Sequence, residues 1–325
     1  MTRTPAGELL RDEILQRGHI SFHRFMEVAL YHPEHGYYTR RHDPFGRAGD
    51  FYTAEQIQPA YGILMAELAA ELRDELRFRE FRVVELGAGR AEMAEAFAPY
   101  SYLPVETGRG ELPRRLTGLI FANEFFDALP VHVARYRSGA WREMSVTAEE
   151  DALAWIEGPP VTEEVRSYLN LYAASPVEGF TAEVNLDALA WLNRVWQSLE
   201  RGYLLAIDYG YTRPESVRFP QGTLMSYRQH AASEQVLRDP GEQDITAHVN
   251  FTALEQHAAA LGFKTVRFET LGRTLLRVGE RDGFQAVLSA ESPEDAVRRR
   301  LQLKHLLFGM GETFRTLLLK KEGLT

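Results

Sequence analysis

In "VVELGAGRAEM", residues 83–93, an apolar run passes into a glycine turn and then into an alanine-rich segment. The run ends at Glu85 and Leu86. Gly87 and Gly89 allow the backbone to turn tightly and to come close to a ligand. The residues that follow have helical spacing, so the stretch predicts a strand, a turn and a helix N-terminus. A turn of this kind occurs in many folds, and an ordinary strand-to-helix connection is the alternative.

Acidic residues near this turn indicate the charge of the ligand. A dinucleotide site favours a small residue at the third glycine position, where this chain has Glu92. A carboxylate there repels a pyrophosphate, whereas S-adenosylmethionine has no phosphate and carries a cationic sulfonium. Glu106 ends the next strand, where an acid can accept hydrogen bonds from ribose hydroxyls. A solvated acid at the end of a strand is the alternative interpretation of Glu106.

A second apolar run, in "LTGLIFANEFFDALPV" at residues 116–131, ends in polar groups that are costly to desolvate. Asn123, Glu124 and Asp127 follow this strand, and Asp208 follows the later strand in "AIDYGY". Ligands of open α/β sheets bind beyond the carboxyl ends of the strands. We therefore expect these side chains in the crevice that holds the glycine turn. Helix capping is the alternative for Glu124 and Asp127.

The composition describes a folded, acidic chain. It has 325 residues, a formal net charge of −9 and a pI near 5.7, which argue against non-specific binding of nucleic acid. Cysteine is absent from the sequence, so disulfides, thiolate zinc sites and thiol nucleophiles are excluded. We find neither the apolar core of a signal peptide nor a run of about 20 apolar residues that would span a membrane. These features predict a cytoplasmic location.

The alternation of strand and helix patterns predicts a parallel α/β sheet with crossover helices. Residues 1–78 are expected to hold two short helices, the second capped by Ser21, and then an aromatic, glycine-containing loop. A third helix should follow the loop, with one apolar face formed by Ile57, Tyr61, Leu64, Leu68 and Leu72. Residues 79–325 are expected to form the sheet domain. Its predicted insertions are an antiparallel meander at about residues 130–180 and a long irregular segment at about residues 210–250.

Further along the chain, an amphipathic pattern predicts a helix over residues 186–199 that Gly202 ends. A helix near residues 251–261 and a strand near residues 263–268 follow. The remainder of the chain is predicted to be helical.

The chain resembles a known family in motifs that keep their order and spacing over nearly the whole sequence. They are "SFHRFMEVALYHPEHGYY", "GRAGDFYTA", "VVELGAGR", "ANEFFDALPV", "GYLLAIDYGY", "GTLMSYRQH", "DPGEQDITAHVNFTAL" and "GMGETF". These motifs resemble the MidA family of S-adenosylmethionine-dependent methyltransferases, whose mitochondrial members symmetrically dimethylate an arginine on a subunit of respiratory complex I. The resemblance implies a class I methyltransferase (Rossmann-like) sheet with a helical N-terminal extension, the inserted meander and a substrate-side lobe. It also implies S-adenosyl-L-methionine as cofactor and a protein substrate.

Site residues follow from the same resemblance. It implies that the cofactor lies against the strand end at Asn123 and Glu124 and against Gly49, Asp50, Phe51, Thr53, Glu85, Gly87, Gly89 and Glu106. Candidates for the substrate side are Asp127, Asp208, Tyr209, Asp244, Thr246 and His248. We assign catalytic roles to Glu124, Asp127, Asp208 and His248. The scattered histidines do not form a metal-ligand pattern, so no metal is expected.

The chain departs from the family at three places. Ala54, Glu55 and Gln56 stand where most relatives read Ser-Pro-Glu, and Ala91 stands where many have glycine. Only twelve residues separate Glu106 from Leu119, too few for the crossover helix and extra strand of fuller relatives. The part of the pocket that covers the adenine is therefore expected to be trimmed.

The predicted reaction is methyl transfer to a guanidinium nitrogen, for which an enzyme supplies mainly proximity and alignment. Glu124 and Asp127 flank two phenylalanines and could hold the guanidinium cation as it loses its proton. One alternative is an assembly chaperone that keeps the methyltransferase fold but has little catalysis. Another is a nicotinamide-dependent enzyme, against which Glu92 argues. A respiratory-complex subunit as substrate and a homodimer are further expectations.

Overall fold

A computed structural model of the protein describes residues 4–39, 54–77, 80–107, 110–150 and 152–323. The α-helices are α1 (Pro5–Arg17), α2 (Phe22–Tyr31), α3 (Ala60–Leu76), α4 (Glu163–Tyr172), α5 (Leu186–Ser198), α6 (Phe251–Leu261), α7 (Leu271–Gly279), α8 (Gln285–Leu288), α9 (Pro293–His305) and α10 (Gly311–Thr313). Short 3-10 turns cover Ala54–Gln56 and Glu215–Arg218, and a π-helical turn covers Leu306–Met310.

The strands are short except in the meander and at the centre of the main sheet. They are β1 (Ile20–Ser21), β2 (Arg82–Leu86), β3 (Ser101–Val105), β4 (Leu116–Asn123), β5 (His132–Arg137), β6 (Ala140–Glu149), β7 (Ala152–Pro160), β8 (Thr181–Val184), β9 (Leu199–Tyr211), β10 (Met225–Arg228), β11 (Ala231–Ser233), β12 (Asp244–Thr246), β13 (Val249–Asn250), β14 (Lys264–Thr270) and β15 (Phe314–Lys321).

Contacts divide the chain into two compact units. The first unit comprises residues 1–52, 126–190 and 211–254, and the second comprises residues 53–125, 191–210 and 255–325. The domain boundary that we expect near residues 78–79 stays a prediction. Among the described helices, none combines the length and the apolarity needed to cross a bilayer.

The main sheet lies in the second unit, with strand order β14-β15-β9-β4-β2-β3. Strands β3, β2, β4 and β9 pair in parallel, which confirms the predicted α/β sheet. The prediction of a wholly helical C-terminus is wrong, because β15 pairs antiparallel with both β9 and β14. Its leucines at 317–319 are buried, so the last strand completes the core.

Two glycines allow the central strands to pack closely. Gly118 of β4 is paired with Gly202 of β9, and a Cβ atom on Gly202 would lie 2.0 Å from the carbonyl oxygen of Gly118. The expected role of Gly202 as the end of a helix is therefore wrong. Helix α5 ends at Ser198, and Gly202 lies inside the strand that follows.

One face of helix α3 packs on this sheet. Leu64, Leu68 and Leu72 recur at helical spacing and are buried. They share a core with Phe121 of β4 and Leu205 of β9. The sequence prediction of this amphipathic helix is confirmed, and the packing fixes the strand ends that carry the polar residues.

The first unit holds the N-terminal helices and the meander. Ser21 caps α2, since its Oγ accepts a hydrogen bond of 3.1 Å from the backbone N–H of Arg24. Strands β5, β6 and β7 pair antiparallel, and Ser138 and Gly139 form the first turn with positive φ angles of 51° and 79°. The predicted meander is confirmed. A separate small sheet has the order β11-β10-β12.

Candidate active site

The glycine turn follows β2 in the second unit. Gly87 and Gly89 have φ angles of 68° and 52°, which favour glycine. A Cβ atom on Gly87 would lie 2.8 Å from the ring of Phe125. The N–H of Gly87 donates a hydrogen bond of 2.8 Å to the carbonyl oxygen of Val105 at the end of β3. Both the backbone conformation and the close approach of Phe125 therefore require glycine at position 87.

The predicted helix after this turn does not form. Residues 89–99 make successive turns, in which the N–H of Ala91 bonds the carbonyl of Ala88 at 2.7 Å and that of Ala94 bonds the carbonyl of Ala91 at 3.0 Å. Ala91 has a φ of 54°, a left-handed conformation that interrupts a right-handed helix. The expected helix N-terminus is thus replaced by a run of tight turns.

Glu106 lies beside the glycine turn. Strands β2 and β3 are paired with Leu86 opposite Val105, which brings the next residues of each strand together. The N–H of Gly89 donates a hydrogen bond of 2.7 Å to Oε1 of Glu106. Between Glu106 and the start of β4, the described residues form no helix, as the short spacing predicts. Glu106 is thereby held at the turn, and its role toward a ribose stays a prediction.

Two carboxyl groups are buried next to this turn. Glu85 is fully buried, Glu55 is 8% exposed, and the hydroxyl of Tyr102 donates a hydrogen bond to Oε2 of Glu85. Burial raises the pKa of Glu85 to about 7, although the bond from Tyr102 opposes the rise. Burial and the nearby charge of Glu85 raise the pKa of Glu55 well above its ordinary value. The pair therefore holds a proton near neutral pH.

The polar end of β4 forms a hydrogen-bonded network in the same unit. Tyr61 donates a bond of 2.7 Å to Oδ1 of Asn123, which is buried. Oε1 of Glu124 accepts a bond of 3.1 Å from the N–H of Ala54 and one of 3.3 Å from Nδ2 of Asn123. This network explains how a buried strand can end in an amide and a carboxylate, because both have partners inside the protein.

The other predicted acid of this motif, Asp127, lies in the first unit and is buried. Its carbonyl oxygen accepts a bond of 2.9 Å from the N–H of Ala247, which follows β12. Asp244, in β12, accepts a bond of 2.7 Å from the hydroxyl of Tyr38. Burial, with smaller contributions from the negative charges of Asp244 and Asp127, raises the pKa of Tyr38 well above its ordinary value. Tyr38 is thus a neutral hydrogen-bond donor at physiological pH.

Two further candidates are also buried. His248, in the first unit, packs edge-on against the ring of Phe219 with centroids 5.2 Å apart, and burial lowers its pKa. It is therefore neutral near pH 7 and able to accept a proton. Asp208, in the second unit, is fully buried in β9, and its Oδ1 accepts a bond of 2.9 Å from the N–H of Tyr209.

The structure brings six predicted site residues together in the second unit, namely Glu85, Gly87, Gly89, Glu106, Asn123 and Glu124. Gly49, Asp50, Phe51 and Thr53 lie outside the described residues. Within the described ranges no cluster of His, Asp or Glu side chains has the arrangement of a metal site. The assignment of roles to these residues stays a prediction.

Sequence reasoning missed Tyr102 and the part played by Glu55. Glu55, the acid after the aromatic, glycine-containing loop, is visible in the sequence as a departure from the family, but its burial against Glu85 is not. Nothing in the local sequence marks Tyr102, because its contact with Glu85 depends on the pairing of β3 with β2.

Comparison with known proteins agrees with these features. Residues 105–269 match the model of a family described as "Putative S-adenosyl-L-methionine-dependent methyltransferase". The chain is 27% identical to the mitochondrial protein arginine methyltransferase NDUFAF7 homolog of Drosophila melanogaster, with 78% of this chain and 70% of the relative covered. It is 25% identical to human mitochondrial NDUFAF7, also named a protein arginine methyltransferase, with 92% and 78% covered.

Two solved structures have the same fold over nearly the whole chain. One is a candidate methyltransferase of Burkholderia thailandensis bound to S-adenosyl-homocysteine, with a TM-score of 0.86, 28% identity, and 98% of this chain and 93% of that chain covered. The other is an uncharacterized Burkholderia thailandensis protein of the same superfamily, with a TM-score of 0.81, 26% identity, and 97% and 91% covered. They confirm the class I methyltransferase fold.

The names of the relatives correct one prediction. Proteins from fly, rat and human are each described as mitochondrial, which contradicts the cytoplasmic location predicted from the sequence. An acidic composition without cysteine is compatible with more than one compartment, so it could not decide the location.

The matched family model covers half of the chain, and its description agrees with the acidic, glycine-containing turn and with the resemblance to the MidA family. The cofactor is S-adenosyl-L-methionine. The chain belongs to this family of S-adenosyl-L-methionine-dependent methyltransferases.

Proposed function

We propose that this methyltransferase transfers the methyl group of S-adenosyl-L-methionine to an arginine of a protein substrate. The proposal is supported by the relatives named protein arginine methyltransferases, which align with 78% or more of this chain. The observation that carries it is the acidic character of the glycine turn. Four carboxyl groups lie at this turn or at the strand ends beside it, and they belong to Glu55, Glu85, Glu106 and Glu124.

The residues of the second unit fit the cofactor. Gly87 admits the ring of Phe125, Gly89 has a left-handed backbone, and Glu106 is held at the turn with one carboxylate oxygen on Gly89. Glu85 is fully buried at the end of β2, where Tyr102 and Glu55 bond its carboxyl group. These residues and Asn123 would hold the cofactor, which supplies a methyl group on a cationic sulfonium.

The same charges argue against the nicotinamide alternative. A pyrophosphate needs backbone N–H groups at a helix start or basic side chains. Here the N–H of Gly89 already donates to Glu106, and the segment after the turn is not helical. Carboxylates that repel phosphates attract a sulfonium or an ammonium group.

The chemistry of the acceptor suits the predicted acids. A guanidinium keeps its proton until the pH exceeds about 12, so it must be held as a cation and deprotonated as it reacts. In the second unit we assign the binding of the cation to Glu124. In the first unit we assign catalytic roles to Asp127 and to His248, whose pKa is lowered by burial. Asp208 is fully buried in β9, and its catalytic role stays a prediction.

The test is methyl transfer from radiolabelled cofactor to arginine-containing proteins, followed by mass spectrometry to locate the methyl group. Glu124→Gln and Asp127→Asn should each slow methyl transfer, with a loss of about 2 to 4 kcal/mol in transition-state stabilisation. The affinity for the cofactor should change much less. Glu80→Gln, an exposed acid before β2, is the matched control. Transfer at the wild-type rate by both variants would refute the assigned roles.

Binding of cofactor with no transfer to any arginine would instead favour the assembly chaperone. Two finer proposals rest on the MidA resemblance, namely that the substrate is a respiratory-complex subunit and that the protein is a homodimer. Transfer to purified subunits tests the first. Light scattering at several protein concentrations tests the second.

A further inference from the structure

Strand β7 (Ala152–Pro160) lies at an edge of the meander sheet in the first unit. Among the described strands it pairs with β6 alone, so one side of its backbone has no strand partner. Such an edge offers N–H and C=O groups to another extended chain. Proline removes the N–H groups at positions 159 and 160, which leaves residues 152–157 as the stretch that can pair, over about 20 Å.

Large apolar side chains are exposed on both faces of β7. Trp155 is 38% exposed and Ile156 is 42% exposed, and successive residues of a strand point to opposite faces. The ring of Trp155 is held in place, because it stacks on the buried ring of Phe22 with centroids 4.8 Å apart. A strand added beside β7 would therefore cover apolar surface on each face of the sheet.

The charge around this edge has one sign. Residues 143–165 contain seven acids and no lysine or arginine, so the lysine that commonly protects an edge strand from pairing is absent. Glu149 and Glu150 are exposed before β7, and Glu157 is exposed within it. Glu157 bonds Arg137 at 3.2 Å, but both side chains are exposed, so the ion pair neutralises little of the local charge. The edge therefore suits a cationic partner.

We propose that the free edge of β7 binds an extended, cationic segment of the protein substrate by strand addition. Backbone hydrogen bonds supply the affinity in this mode of recognition, and alternate side chains of the segment supply the specificity. Basic side chains of the segment lie beside Glu149 and Glu157, and an apolar side chain packs on Ile156. The inference rests on the proposed protein substrate, and it concerns how that substrate docks rather than which residue is methylated.

A second copy of this chain is the competing occupant of the edge. Antiparallel pairing of β7 with its own copy would place the acids before one strand, Glu149 and Glu150, near Glu157 of the other strand. Like charges that face each other across a strand pair are destabilising. The charge of the edge therefore favours a cationic segment over self-association.

The probe is a fluorescein-labelled peptide of about eight residues in which valine and arginine alternate, the period that a strand requires. Fluorescence anisotropy with the full-length protein should show saturable binding that weakens as the salt concentration rises. Bound peptide should also slow amide hydrogen exchange in residues 152–157. A second peptide with proline in place of each valine keeps the charge but cannot pair as a strand, so it should bind at least tenfold more weakly.

Two variants of the first unit separate the edge from the rest of the surface. Ile156→Lys should weaken binding of the valine-arginine peptide at least tenfold, because it removes apolar surface and adds a repelling cation at the edge. Val177→Lys makes the same change at an exposed valine outside β7 and should bind the peptide as the wild type does.

Absence of saturable binding by the wild type, equal binding of the two peptides, or binding that leaves exchange in residues 152–157 unchanged would overturn the inference. Exchange in these residues that slows with rising protein concentration, without peptide, would also overturn it, because a second copy would then occupy the edge. None of these results would affect methyl transfer to arginine, and failure to methylate arginine would leave the binding result intact.

Discussion

Glu85→Gln should make the cofactor-free protein more stable at neutral and alkaline pH. Burial raises the pKa of Glu85 from its ordinary value of 4.5 to about 7. Between these values the folded state keeps a proton that the unfolded chain releases, so the free energy of unfolding falls as the pH rises through this window. At about 1.4 kcal/mol per pKa unit, this difference in pKa between the unfolded and folded states lowers the free energy of unfolding by about 3 kcal/mol. This is the upper limit of the gain from removing the charge.

The glutamine keeps the shape of the side chain, and its oxygen can still accept the bond from Tyr102. Urea unfolding of the variant and the wild type, followed by tryptophan fluorescence from pH 5 to 8.5, measures the effect. The two proteins should have similar stability near pH 5 and diverge toward pH 8, with the variant more stable. Glu80→Gln should follow the wild type throughout. A variant whose stability parallels that of the wild type at every pH, or falls below it at pH 8, would refute the reasoning.

Three further outcomes are expected. Gly89→Val should abolish cofactor binding while circular dichroism is unchanged, because a β-branched residue is strained at a φ of 52°; unchanged affinity would remove the turn from the site. Glu106→Ala removes the acceptor 2.7 Å from the N–H of Gly89 and should weaken an affinity of about 10 to 100 μM at least tenfold, as measured by titration. Activity should fall toward acidic pH if His248 accepts the proton, since burial lowers its pKa and protonation removes the acceptor only in acid. A flat pH profile in His248→Gln would support the role, and a profile like that of the wild type would contradict it.

Elements with a strong local pattern were predictable. The leucine stripe of α3, the cap at Ser21 and the turn at Ser138 and Gly139 each depend on residues close together in the sequence. The strand ends that carry Asn123 and Glu124 were predictable for a related reason, because a buried run that stops at polar groups places them at the edge of a sheet.

Features that depend on distant contacts were not predictable. The alanine-rich segment after the glycine turn has helical spacing, yet Ala91 adopts a positive φ and the helix does not form. The leucines of β15 match a helical pattern as well as a strand pattern, and only pairing with β9 and β14 identifies the strand. The burial of Glu55 against Glu85 likewise requires the three-dimensional structure.

Calorimetric titration of the wild-type protein with S-adenosyl-L-methionine and, separately, with NAD tests the identity of the cofactor. The acidic glycine turn and the family assignment predict saturable binding of S-adenosyl-L-methionine to one site per chain and no heat of binding from NAD. Absence of saturable binding by S-adenosyl-L-methionine, or binding of NAD at the same site, would contradict the account.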